Sequence, residues 1–259
     1  KAIELTRNGE YLNGTLPHLS IYALVGSKTE TETTTKPVHE VTISSFYMSK
    51  HEVTQAEWKA IMNNNPSYCV GASFDERYQP VERVSWRDAI EYCNKRSDAE
   101  GLKRCYSKNE NGGYKCNFEA NGYRLPTEAE WEFVAHGGNR GKDKTYSGSS
   151  NINDVAWYNG NTGFPHPVMT RAPNKLGIYD LSGNVNEWCW DKYNNEYYEK
   201  SPKDNPRGAT SSSVSYARSA RGGSAYANEN GCRVFTRYWG AEKDIYYSLG
   251  LRLVRTTMQ

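Results

Sequence analysis

The sequence lacks any hydrophobic run long enough to cross a membrane. No stretch of about 18 apolar residues occurs in its 259 residues, so we expect no transmembrane helix. An excess of one charge is also missing, because 32 Lys and Arg residues stand against 30 Asp and Glu. The formal net charge of +2 does not favour binding to nucleic acid through a basic patch, and we expect no nucleic-acid partner.

Motifs that carry common enzyme chemistry are absent as well. There is no G-x-S-x-G and no P-loop, and the five histidines do not match a metal-ligand spacing. The chain begins with Lys1 and shows no signal peptide. We nevertheless expect an exported protein at the cell surface, with lipid anchoring through a removed N-terminus as one possibility.

Aromatic residues and cysteines are well represented. Twenty Tyr and seven Trp supply large side chains for a core or for a binding surface. The even number of cysteines fits an exported protein with disulfides and fits buried thiols equally well. The six are Cys69, Cys93, Cys105, Cys116, Cys189 and Cys232.

Three segments in the first half open with a helix-capping signal, in which a hydroxyl residue is followed three positions later by an acid. The pairs are Thr54 with Glu57, Ser85 with Asp88, and Thr127 with Glu130. The hydroxyl accepts from a free N–H at the helix end, and the acid can accept from the N–H of the capping residue. The pattern predicts three helices that begin at these positions.

The second half is rich in Gly, Asn, Ser, Tyr and Trp and shows only short strand-like pieces, at residues 233–236 and 248–254. In the first half, the β-branched stretch 38–49 predicts a strand, and residues 1–37 are expected to form an arm or loop. No linker divides the remainder, so residues 38–259 are expected to be one domain. The fold class is α+β, with helices first and irregular short strands second.

Seven segments in order resemble the formylglycine-generating enzyme (sulfatase-modifying factor) family, and the stretch GYRLPTEAEWE is the most specific of them. They span residues 44–62, 79–94, 121–138, 173–191, 220–224, 232–233 and 249–254. The resemblance implies a C-type lectin fold. The enzymes of this family use two cysteines, about five residues apart, near the C-terminus. Glu229 and Val234 occupy the corresponding positions here, so the resemblance implies no formylglycine synthesis and no copper.

The same resemblance bears on Cys232 and on a metal. Cys232 matches a position at which the resemblance implies a structural role, as a buried thiol or in a disulfide for which Cys189 is the candidate partner. A structural calcium ion is also implied. Its ligands would be the carboxylates of Asp180 and Glu187 and the carbonyls of Gly183 and Val185. In the alternative interpretation these acids cap loops or pair with an arginine. Asn186 departs from the family, which commonly has Trp at this position.

Residues 225–247 interleave large aromatics with Asn, Gly and Ala, a composition typical of paratopes. With its family-like flanks, this stretch resembles the variable proteins of diversity-generating retroelements, of the Treponema type. That resemblance implies ligand-contacting positions that derive from adenine-rich codons, whereas Trp239, Glu242 and Lys243 are expected to stay fixed. The candidates are Ala225, Tyr226, Asn228, Asn230, Phe235, Thr236, Tyr238, Gly240, Ala241, Asp244, Ile245, Tyr246 and Tyr247.

The favoured function is therefore non-catalytic binding of a protein or other macromolecule by a monomer. We predict that Tyr226, Tyr238, Tyr246 and Tyr247 share one exposed patch, since such a patch marks a binding site. Three alternatives stay open. One is a Cys- or metal-dependent oxidase of the same family, another is a structural domain of the cell envelope, and the third is a packed aromatic loop of a plain relative.

Overall fold

Three of the five helices begin where the capping signals predicted them. The computed structural model describes residues 14–15, 21–25, 40–140 and 144–257. The helices are α1 (Gln55–Met62), α2 (Trp86–Ala99), α3 (Glu128–Ala135), and the short α4 (Ile152–Val155) and α5 (Tyr197–Lys200). The capping boxes at Thr54 and Thr127 are complete, and the Ser85 side chain accepts from the N–H of Asp88. Local hydrogen bonding therefore decides these helix starts.

The strands form three sheets. A five-stranded sheet has the order β1, β2, β3, β11, β6, a four-stranded sheet has the order β10, β7, β8, β9, and β4 pairs with β5. Their bounds are β1 Gly14–Thr15, β2 Ile21–Val25, β3 Phe46–Ser49, β4 Tyr106–Lys108, β5 Tyr114–Cys116, β6 Tyr123–Arg124, β7 Asn186–Lys192, β8 Ala217–Arg221, β9 Arg237–Ala241, β10 Leu249–Gly250 and β11 Val254–Thr256. The C-terminal strand β11 thus lies between β3 and β6 and pairs with both.

Three expectations about strands need correction. Residues 1–37 were expected to be an arm or loop, but β1 and β2 lie within them, and β2 pairs with β3 over four residue pairs. The strand predicted over residues 38–49 is limited to β3 and begins only at Phe46. The piece at 233–236 is a turn, and the strand begins afterwards, at Arg237. The other residues of the predicted arm lie outside the described residues.

The core is built around tryptophan. Trp58, Trp86, Trp131 and Trp188 are each at most 2% exposed. Trp86 and Trp188 pack in the cluster formed by α1, α2 and the four-stranded sheet, and Trp131 packs in a second cluster around α3. Large rings fill these volumes with few aliphatic side chains, which explains how a chain with a mean hydropathy of −0.85 forms a core.

All six cysteines are free thiols. Cys189 packs in the cluster around α3, whereas Cys232 packs in a third cluster with Tyr146 and Ile152. The structure therefore shows five buried thiols and the half-buried Cys116 where the sequence left disulfides open, and it does not join Cys189 to Cys232.

Candidate ligand-binding surface

The C-terminal segment 225–247 lies at the open side of the four-stranded sheet. It passes through a 3₁₀ turn at Glu229–Cys232, then forms β9, which pairs only with β8 among the described strands, and then leads to β10. Two charged residues of this segment point into the body of the protein. We call their ion pairs the two anchors, because they fix the backbone from which the candidate side chains project.

The first anchor joins β9 to the start of α3. Arg237 donates to both carboxylate oxygens of Glu128, at 2.6 and 2.8 Å, and the buried Arg221 donates to the same carboxylate at 2.9 Å. Burial alone would raise the pKa of Glu128, but the guanidinium groups of Arg237 and Arg221 lower it to about 2. Glu128 therefore carries a full negative charge beneath the segment at neutral pH.

The second anchor lies just after β9. Glu242 accepts from Arg218 at 2.8 Å and from Arg87, at the start of α2, at 2.9 Å. The Arg218 guanidinium lies 3.7 Å from the centre of the Trp86 ring, so the pair is part of the core. This arrangement gives Glu242 a structural role, and its constancy among variants stays a prediction.

The residues after the second anchor form the exposed tip of the segment. Ile245, Tyr246 and Tyr247 are 52%, 51% and 54% exposed. Tyr226 meets Tyr247 edge to face, with ring centres 4.7 Å apart. Tyr238 does not share this exposure, since its hydroxyl donates to the Gly231 carbonyl and its ring packs against the core. Of the four tyrosines predicted to share one exposed patch, Tyr246 and Tyr247 are exposed, whereas Tyr226 and Tyr238 are half-buried.

Ala225 and Gly240 were predicted to contact ligand, and the structure contradicts both. Ala225 is fully buried and its N–H donates to the Asn184 carbonyl. Gly240 is buried too, and a Cβ there would lie 2.7 Å from the Trp188 ring. These residues were predicted from a codon pattern, which does not indicate whether a side chain faces the solvent or the core. Neither presents a surface to a ligand.

The remaining candidates are at least partly accessible. Asn228 and Asn230 are exposed on the 3₁₀ turn, and Asn228 accepts from the N–H of Gly231. Thr236 donates its hydroxyl to the Asn230 carbonyl. The half-buried candidates are Phe235, Thr236, Ala241 and Asp244.

The predicted calcium ligands are used otherwise. Glu187 is fully buried, and both of its oxygens accept from Arg252, at 2.7 to 3.0 Å. Asp180 accepts from the N–H of Met169, and burial raises its pKa to about 6. Among the described residues, no group of three or more His, Cys, Asp or Glu is placed to hold a metal. The pairing with an arginine is thus the observed role of Glu187, and the calcium site stays a prediction.

Sequence reasoning missed two partners of this buried acid cluster. Glu52 accepts from the N–H of Val185, at 3.0 Å, and from the side chain of Asn184. Burial, together with Asp180 and Glu187, raises its pKa well above the ordinary value. Arg252 also donates to two backbone carbonyls. Arg252 lies in the LGLRLV motif, so the sequence could have singled it out, but the motif does not indicate which carboxylate it pairs with.

The surroundings of Cys232 do not favour a thiolate. Its sulfur lies 3.9 Å from the Ser224 carbonyl, and burial raises the pKa of the thiol to about 12. Glu229 is exposed on the 3₁₀ turn and Val234 is buried. A protonated thiol is a weak nucleophile and a weak metal ligand.

Comparison with known proteins identifies the family. The family model of the sulfatase-modifying factor enzyme 1-like domain matches residues 7–257. The chain belongs to this family. Variable protein 1 of Treponema denticola superposes with a TM-score of 0.83 and 29% identity, covering 97% of this chain and 100% of that one. The predicted resemblance and the C-type lectin fold of the formylglycine-generating type are thereby confirmed.

Curated relatives carry several different names. The chain is 48% identical over 183 residues to the chaperone protein LppX of Paenibacillus barcinonensis, covering 58% of this chain and 64% of that protein. It is 30% identical over 198 residues to the formylglycine-generating enzyme of Thermomonospora curvata, covering 70% of this chain and 54% of that enzyme. The chain spans less than two thirds of each of these relatives. Within the described residues, no helix is long and apolar enough to cross a membrane.

Proposed function

We propose that this domain binds a protein or other macromolecular ligand through segment 225–247 and performs no catalysis. The observation that carries the proposal is the contrast along the segment. Arg237 and Glu242 are held in buried ion pairs, whereas residues 245–247 are half-exposed and continue onto Tyr226. The likeness over nearly the whole chain to Treponema denticola variable protein 1 supports it.

The anchors give a physical reason why such a segment tolerates change. Backbone position is fixed by charged groups that lie inside the body, so the outward side chains at positions 226 and 244–247 can be replaced without breaking them. Rigid presentation lowers the entropy lost on binding, and tyrosine adds contact area at small entropic cost. We therefore propose a retroelement variable protein, monomeric and displayed at the cell surface.

The diversification proposal is tested by sequencing this gene from many cells of its source population. Substitutions should gather at the accessible candidates and derive from adenines, while the codons for Arg237 and Glu242 stay constant. A reverse transcriptase gene beside a near-copy of the last codons should accompany the gene. Substitutions spread evenly over the domain would contradict the proposal, as would replacement of the anchor residues.

Surface display is tested by treating intact cells with protease. Loss of the protein from intact cells, with a cytoplasmic marker preserved, is the expected result. Protection in intact cells and loss only after lysis would contradict the proposed location.

The family relationship to formylglycine-generating enzymes favours oxidase chemistry as a second candidate. Here the only thiol of segment 225–247 is that of Cys232, which is buried and has a raised pKa. We expect no copper-dependent oxygen consumption with a thiol peptide as substrate. Turnover that disappears in Cys232→Ser would overturn the non-catalytic proposal.

A further inference from the structure

A second exposed apolar surface lies outside segment 225–247. It consists of five side chains from two loops, residues 68–78 and residues 164–169. They are Tyr68 (71% exposed), Val70 (46%), Tyr78 (50%), Phe164 (45%) and Met169 (38%). We call them the fixed flank, because none is among the candidate variable positions. Apolar side chains exposed next to one another are uncommon on a protein with nothing to bind.

The two loops of the fixed flank are packed together. The N–H of Val168 donates to the Tyr78 carbonyl at 2.8 Å. Phe74 meets Phe164 edge to face, with ring centres 5.7 Å apart. Phe164 stacks on His166, whose ring in turn stacks on Trp157 at 3.7 Å. This column of rings gives the flank a rigid base, so a partner need not order it.

The fixed flank is continuous with the variable segment. The sulfur of Cys69 lies 3.9 Å from the hydroxyl of Tyr226. The N–H of Asn159, close to Trp157, donates to the Ala227 carbonyl at 3.0 Å. On the other side, the N–H of Arg83 donates to the Tyr246 carbonyl at 3.1 Å. A ligand that covers Tyr226 and Tyr247 therefore also meets the flank.

Two arginines give this surface a preference for negatively charged groups of a ligand. Arg83 is exposed, and the Arg171 guanidinium lies 3.7 Å from the centre of the Trp157 ring with its Nε lacking a hydrogen-bond partner. Among the described residues neither forms an ion pair. Two pairs of opposite charge near the flank neutralise each other, Arg77 with Asp75 and Lys59 with Glu76. The exposed carboxylate of Asp154 accepts from the side chains of Ser149 and Asn151.

Two carboxyl groups lie near this surface, and among the described residues neither forms an ion pair with Arg83 or Arg171. Glu82 is fully buried, and burial raises its pKa. The carboxylate of Asp244 accepts from the N–H of Ala241 at 2.7 Å and from the hydroxyl of Tyr246, so it is held by donors of the variable segment itself.

We propose that the ligand is a protein that contacts the fixed flank and the variable segment together, and that Arg83 and Arg171 select acidic side chains at the edge of its apolar surface. This inference rests on the proposed binding function and names the chemistry of the partner. An apolar centre with a charged rim is the usual anatomy of a protein interface. The flank supplies affinity that every variant shares, and the segment supplies discrimination.

The charge preference is tested with two small probes that share a ring and differ in charge. Phenylacetate and phenethylamine are titrated into the isotopically labelled protein, and backbone amide shifts are followed by NMR. We expect phenylacetate to shift residues 68–78 and 164–171 and to bind about three-fold more tightly than phenethylamine. The preference should vanish in Arg171→Gln combined with Arg83→Gln.

Arg207→Gln is the matched control, because Arg207 is also exposed and also lies over an aromatic ring, that of Phe118 at 4.3 Å. This variant should keep the preference for phenylacetate. Shifts absent from the flank, or tighter binding of phenethylamine, would overturn the inference. Stronger shifts with short single-stranded DNA than with phenylacetate would point to a nucleic acid and overturn it too.

Joint use of the two surfaces is tested with a peptide selected from a random library on the immobilised protein. The most enriched peptide should lose at least about ten-fold in affinity in Phe164→Ser and also in Tyr247→Ser, and Tyr216→Ser should change little. A peptide sensitive to only one of the first two substitutions refutes the shared surface. The sequencing test is independent of this one. If peptides bind the flank but the codons of the segment are not diversified, only the retroelement proposal is contradicted.

Discussion

Asp191 offers a prediction in which the sign and the size of an effect both follow from the structure. Its side chain is 1% exposed at the end of β7, and one oxygen accepts from the N–H of Glu128 at 2.9 Å. The other oxygen is buried and has no hydrogen-bond partner. Burial and the neighbouring Glu128 carboxylate raise the pKa of Asp191 to about 8.

The raised pKa makes this group destabilising as the pH rises. Below about pH 4 the carboxyl is protonated in both the folded and the unfolded protein. Between about pH 4 and pH 8 the unfolded chain ionises while the folded carboxyl stays neutral, so stability falls by at most about 1.4 kcal/mol for each pH unit. At pH 7 the upper limit of the loss is therefore about 4 kcal/mol, from the pKa of about 8 and the ordinary value of 3.8.

Asp191→Asn removes this penalty. The Asn oxygen can still accept from Glu128, and its amide group inherits the place without a partner, which costs about 1–3 kcal/mol. The expected net gain at pH 7 is about 1–3 kcal/mol, shrinking to a loss at pH 4. Urea unfolding at several pH values measures the difference between variant and parent.

Asp98→Asn is the matched control with the opposite sign. The hydrogen bonds from Arg104 lower the pKa of Asp98, so this variant should lose, not gain, stability relative to the parent as the pH rises above the acid range. A difference between Asp191→Asn and the parent that stays constant from pH 5 to pH 8.5 would refute the reasoning, because a pH-independent effect cannot come from ionisation.

Three further predictions concern two residues that support the segment, Glu242 and Gly240, and the calcium site. Glu242→Gln should lower the free energy of unfolding by about 2–4 kcal/mol in urea, because two arginines lose their charged partner; recovery with Asp would support the charge as the cause. Gly240→Ala should cost about 1–3 kcal/mol against Trp188, while Gly163→Ala, which has open space around it, should change the unfolding midpoint little. Calcium and a chelator should give the same melting temperature, since Glu187 is occupied by an arginine; a rise with calcium would restore the site implied by the family.

The parts of the fold that local chemistry determines could be predicted from the sequence. The helix starts at Thr54, Ser85 and Thr127 were found because a cap and its partner lie three residues apart. Strands were located less well. The pattern at residues 233–236 lacks a pairing partner, and the strand forms where Arg237 opposes Arg221 on β8. Pairing of that kind is a long-range property.

The candidate segment could be found from the sequence, but the direction in which each of its side chains faces could not, and ligand binding there stays a prediction. The aromatic composition of residues 225–247 identified the segment, in which Tyr246 and Tyr247 are exposed and the half-buried Tyr226 contacts Tyr247. Burial of Ala225 and Gly240 depends on neighbours more than 35 residues away in sequence, Asn184 and Trp188. The fixed flank escaped notice because its two loops are separated in the chain and meet only in three dimensions.

The position of β9 at the border of its sheet has a consequence for solubility. A border strand offers unpaired backbone groups to any other extended chain, and hydrophobic substitutions in such a strand promote aggregation. A segment whose side chains vary needs protection against aggregation that does not depend on which side chains are present. Arg237 at the beginning of β9 and Glu242 directly after it hold the strand against the body through ion pairs that do not depend on the residues between them. Variants that keep both ion pairs should therefore keep β9 on its sheet, and aggregation should increase when the pairs are lost.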